Sequence, residues 1–94
     1  MSMDVERDRK RILAELRRVA QFARQCAADG PEYGDTDAAW AFEETARVVS
    51  STPPLPGETS EAWCERARVN ARLALKQTSS PAALEAVSMI SAAR

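Results

Sequence analysis

Residues 4–28, DVERDRKRILAELRRVAQFARQCAA, decide the fold class. Val5, Ile12, Val19 and Cys26 recur at a seven-residue spacing, and Leu13, Leu16, Ala20, Ala23 and Ala27 fill in beside them, the single apolar stripe of a long amphipathic helix. Asp29-Gly30-Pro31 then ends it, because glycine can take the left-handed capping conformation and proline blocks continuation.

Reading on from that stop, residues 35–49, DTDAAWAFEETARVV, give a second and shorter amphipathic helix. Asp35 or Thr36 serves as N-cap, and Asp37 suits the positive end of the helix dipole. The prolines of 50–57, SSTPPLPG, rule out a helix there and mark a stiff extended connector. A third helix starts after Thr59 or Ser60 and carries two apolar tracks. Trp63, Cys64, Ala67, Ala71, Ala74 and Leu75 form one, with Trp63 expected in the core, and Ala62, Val69 and Leu73 form the other, as if the helix were touched from two sides. Ser80 followed by Pro81 opens a fourth helix, whose wide apolar face should be covered by the other helices or by a second copy of the chain.

The expected architecture is therefore all-α: one domain over 1–94, a compact bundle of four helices at approximately 4–28, 36–50, 60–78 and 81–93, with the proline-rich connector at 50–57. The alternative is three helices plus a short C-terminal helix used for dimerisation. Alanine supplies much of the 45% apolar content, so each helix face buries little area, and the alanine-lined faces of helices one and three are expected to approach closely. Val, Ile, Leu and Phe are scarce enough to suggest disorder, but a net charge of −1 removes the second condition for it, and a folded chain is expected.

Composition also narrows the chemistry. The chain has no histidine, which removes histidine-activated nucleophiles, histidine general bases and histidine metal ligands together. Cys26 and Cys64 stand alone on apolar stripes, as buried reduced thiols of an intracellular protein would. The densest carboxylate pattern, Glu58-x-x-Glu61 with Glu65, lacks a second helix of acids to complete a divalent-metal site, and DGPEYGDTD lacks the ligand order of a calcium loop. No catalytic residue, metal site or cofactor is expected. The charged start, MSMDVERDRKR, has no apolar run of the signal-peptide kind, and no stretch is long and apolar enough to cross a membrane, so a cytoplasmic protein is expected.

Charge is segregated along this nearly neutral chain. From Arg7 to Arg24 bases dominate; from Asp29 to Glu44 there are six acids and no base. Trp40 stands in that acidic stretch on the polar side of its helix, among Glu43, Glu44 and Arg47. An aromatic ringed by charges is the pattern of an interface anchor, although the segment containing Tyr33 could instead fold back over the indole. The expected protein-binding face comprises Glu32, Tyr33, Asp35, Asp37, Trp40, Glu43, Glu44 and Arg47. Its partner would be a protein with a basic surface, and its role that of a non-enzymatic inhibitor or regulator covering the partner's active or nucleic-acid-binding surface.

A second reading takes residues 66–87 as a helix-turn-helix that makes the chain a DNA-associated accessory protein. Arg68, Arg72 and Lys76, four residues apart, would contact phosphates, while a fourth helix of alanines and one glutamate has little with which to read bases. Pro53-Pro54-Leu55-Pro56 also matches a Pro-x-x-Pro ligand, a pattern the connector role explains without a partner.

Overall fold

The computed structural model describes residues 3–29, 36–76 and 80–92. Four helices build an all-α bundle, α1 (Met3–Asp29), α2 (Thr36–Ser50), α3 (Ser60–Ala74) and α4 (Pro81–Ser88). The first two match the sequence reading to within a residue at each end. The fourth is short, as the alternative architecture had it.

The core assembles around α2, which packs against each of the other helices. Phe42, Val48 and Val49 of α2 meet Val5, Ile12 and Leu16 of α1, Trp63, Ala67 and Ala71 of α3, and Ala83, Ala86 and Val87 of α4 in one buried cluster. The main partner of α1 is α2 and not α3, contrary to the expected pairing of helices one and three. A link of only residues 30–35 makes chain neighbours into antiparallel spatial neighbours. Their direction is visible in two cross-links: Arg24 pairs with Glu43 near one end, and Arg9 reaches Val49 and Ser50 at the other.

At 27 residues, α1 is about 40 Å long and outruns its 15-residue partner. Val5, Ile12, Leu16 and Ala20 are buried, whereas Val19 and Cys26 are only half-buried, so Cys26 departs from the expected buried thiol. A straight helix with 3.6 residues per turn rotates a strict seven-residue repeat by roughly 20° per heptad, so the line that begins at Val5 has swung to the edge of the interface by Cys26.

The proline-rich connector is strapped to α3. The buried Trp63 Nε1 donates to the Thr52 carbonyl at 2.8 Å, and Arg66 Nη2 donates to the Pro53 carbonyl at 2.7 Å. Glu58 folds back so that its carboxylate accepts from Arg66 and from the Leu55 N–H, closing a turn in which Gly57 takes φ +77°, a conformation that favours a residue without a Cβ. Thr52 itself is buried and donates its hydroxyl to Val48 O at 2.8 Å, and buried Thr45 does the same to Ala41 O, so neither hydroxyl is left unsatisfied.

Two helices end earlier than the sequence suggests. Thr59 caps α3 with a hydroxyl that accepts from Ala62 N, but the helix stops at Ala74, not near residue 78. Leu75 is its C-cap, and Lys76 turns the chain with φ +54°, a left-handed position filled without glycine. Ser80 and Pro81 start α4 as expected, with the Ser80 hydroxyl accepting from Ala83 N at 3.1 Å. That helix closes at Ser88, well short of residue 93. Beyond it, fully buried Ile90 and the next residue give their carbonyls to arginines of other helices: Arg68 Nη1 donates to Ile90 O at 2.5 Å and Arg11 Nη2 donates to Ser91 O at 2.7 Å. The Ile90 N–H still bonds back to Val87 O at 3.0 Å, and guanidinium donors take the carbonyls that no further helical turn satisfies. Arg9 does likewise at the C-terminus of α2, donating from Nη2 to Ser50 O at 2.7 Å and from Nε to Val49 O, where a cation also meets the negative end of the helix dipole.

Candidate protein-binding surfaces

Trp40 lies on α2 directly opposite the buried stripe of Phe42, Thr45, Ala46 and Val49, and 46% of it is exposed. Trp63, by contrast, is completely buried with its N–H bonded, as the sequence reading expected. The indole at position 40 is thus presented by a helix whose other side is locked into the core. Glu43, Glu44 and Arg47 follow it by three, four and seven residues and share its side of the helix.

The charges around Trp40 are not those of a simple acidic ring. Glu44 pairs with Arg47 on its own helix, and Glu43 pairs with Arg24 reaching across from α1. Exposed pairs of this kind contribute little to stability, but they cancel charge locally. The described part of the face is consequently an indole between two ion pairs. Glu32, Tyr33 and Asp35 lie outside the described residues, as does the side chain of Asp37, and so does the question of whether the Tyr33 segment covers the indole. Arg24 is not among the residues the sequence reading gave to this face, and its 19-residue separation from Glu43 carries no local signal of the pairing.

The three basic residues of the helix-turn-helix reading do come together, two on one edge of α3 and the third just past its end. Arg68, Arg72 and Lys76 border a groove of about 790 Å³ between α3 and α4. Arg68 is already committed, to the Ile90 carbonyl and to Glu65, whose carboxyl it holds below the usual range by hydrogen bond and charge. The floor of the groove is apolar. Val69 (43% exposed), Leu73 (72%) and Leu84 (62%) open onto solvent there. The second apolar track of α3, Ala62, Val69 and Leu73, is therefore uncovered, and so is part of the α4 face that was expected to be closed.

No group of three or more metal-ligating side chains occurs among the described residues. Glu58 is engaged by Arg66, which with the Leu55 N–H holds its carboxyl down to about 2, and Glu65 is engaged by Arg68. Burial pushes the Cys64 thiol upward, against the lowered pKa that an activated nucleophile requires. A smaller depression of about 310 Å³ between α1 and α2 is lined by Arg17, Glu43, Ala46, Arg47, Ser50 and Ser51. Among the described residues no helix is long and apolar enough to cross a membrane. No family model, no curated protein and no solved structure matches the chain.

Proposed function

We propose that this chain is a non-enzymatic protein-binding domain that regulates a partner by covering its active or nucleic-acid-binding surface, with Trp40 as the anchor. The observation that supports this reading is the half-exposed indole on the outer side of a helix that is otherwise fixed in the core. Burying that ring on a partner removes a large apolar area from water with little further loss of side-chain freedom, which is why tryptophan is enriched among interface hot spots. Glu43–Arg24 and Glu44–Arg47 flank it as a polar rim, and the acids close to it in sequence, Glu32, Asp35 and Asp37, make a basic patch the natural complement on the partner.

The test is an affinity capture from cells of the source organism, comparing the wild-type chain with Trp40→Ala and identifying retained proteins by mass. Helicity of the two should be the same, since Trp40 makes no part of the buried cluster. A protein retained by wild type and lost from Trp40→Ala is the expected result. In a Trp63→Phe background, in which Trp40 is the chain's sole tryptophan, the purified partner should shift its emission to the blue and protect it from aqueous quenchers. Identical retention by both forms removes Trp40 from the binding surface.

A further inference from the structure

The groove between α3 and α4 is independent of the Trp40 face and has a chemistry of its own. Its floor is Val69, Leu73, Leu84 and Val87, and two leucines in it are more than half exposed on helices that have buried their other sides. Its rim is cationic. Arg68 and Arg72 project along it one helical turn apart, Lys76 stands just beyond the end of α3, and among the described residues no carboxylate lines it. A contiguous apolar strip with a charged border is the mark of an interaction surface rather than of scattered surface leucines.

We propose that this groove receives an acidic amphipathic helix of a partner protein, whose apolar stripe seats on Val69, Leu73 and Leu84 and whose carboxylates meet Arg72 and Lys76. The walls are themselves helices, so a third helix can lay its side-chain ridges between them at ordinary helix-packing distance. Charge selects the occupant. A second copy of this chain docking rim to rim would set Arg68, Arg72 and Lys76 against the same three cations, a like-charge penalty, and its groove brings no carboxylate to offset it among the described residues. Nucleic acid would satisfy the rim but leave the leucines facing phosphates and sugars. An acidic helix satisfies rim and floor together. Among the three rim cations, Arg68 is spent on Glu65 and the Ile90 carbonyl, so Arg72 and Lys76 carry the selection.

The experiment uses the full chain and two fluorescent peptides of about four helical turns. Both carry leucine at helical i, i+3/i+4, i+7 spacing; the remaining exposed positions are glutamate in one and lysine in the other. Anisotropy should show saturable binding of the glutamate peptide, weakening as salt rises, and none of the lysine peptide. Leu73→Ser/Leu84→Ser should weaken the glutamate peptide on the order of tenfold or more with unchanged circular dichroism, since both side chains are exposed in the free protein. Arg72→Glu/Lys76→Glu should transfer preference to the lysine peptide. Trp40→Ala should leave all of this unaltered, which separates failure here from failure of the Trp40 reading. The proposal is overturned if the glutamate peptide does not bind saturably, if both peptides bind alike, or if the double serine variant keeps full affinity. Sedimentation that reveals a homodimer abolished by the double serine variant assigns the groove to a second copy and overturns it too, as does displacement of the peptide by a fatty acid with a full-strength complex of its own.

Discussion

Replacing Lys76 with glycine is expected to stabilise the protein, although it deletes a charged side chain and adds no contact. Lys76 sits at the residue after the C-cap of α3 with φ +54°, where the Cβ of an L-residue crowds its own backbone. That conformation costs a non-glycine residue roughly 1–2 kcal/mol. Glycine removes the cost but has more freedom to lose from the unfolded chain, roughly 0.5–1 kcal/mol. The balance is a gain of about 0.5–1 kcal/mol, and in a domain of this size each kcal/mol moves the melting temperature by about 4–8 °C. The Lys76 N–H bond to Leu73 O, 3.2 Å long, belongs to the backbone and survives the change. Lys76→Ala is the control, because it deletes the same charge and keeps the Cβ. Thermal and urea unfolding followed by circular dichroism should rank glycine above alanine, with equal urea slopes. If glycine is no more stable than alanine, strain at this joint is not what ends α3. Both substitutions also remove a rim cation, so they should loosen the acidic peptide while differing in stability.

Acid should find the connector before it finds the core. The Glu58 carboxyl is held at about 2 by Arg66 and the Leu55 N–H, against an ordinary value of 4.5. A depressed folded-state pKa gives stability that is complete above 4.5 and is lost as the pH falls toward 2, and Glu58→Gln should flatten that segment of a stability-against-pH curve while leaving other segments in place. The two thiols should separate kinetically. Buried Cys64, with its pKa raised, should resist an aromatic disulfide reagent until the protein unfolds, while half-buried Cys26 reacts in the native state; rapid native labelling of a Cys26→Ser variant would contradict the packing of α3.

What could be read in advance divides by the range of the physical cause. Helix starts were legible because their signals are local: Thr59 and Ser80 offer hydroxyls to N–H groups three residues on, and Pro81 is preset for a first turn. The stop of α1 before Gly30-Pro31 was legible for the same reason. The end of α3 was not, because Lys76 carries no sign that it will adopt a glycine's conformation. Nor was the end of α4, where the donors come from Arg11 and Arg68, distant in sequence. An apolar stripe says that a face is covered, not by what, and so α1 could not be assigned to α2 in place of α3. The second track of α3 carried a further message. Its apolar residues predict a covered face, and the fold leaves them open.

Arg11 and Ser91 are 80 residues apart, and their bond is among the longest-range in the molecule. A loop of that span is slow to close, since its entropy is lost before any contact rewards it. The α1–α2 hairpin needs only residues 30–35 to turn, so it forms on a faster clock, and the eight-residue α4 is too short to persist unaided. Docking of Ile90 and the seating of two guanidinium forks are then one late event. Until it happens, a hairpin whose α2 side carries Phe42, Val48 and Val49 meets water uncovered, and that interval is where aggregation is expected.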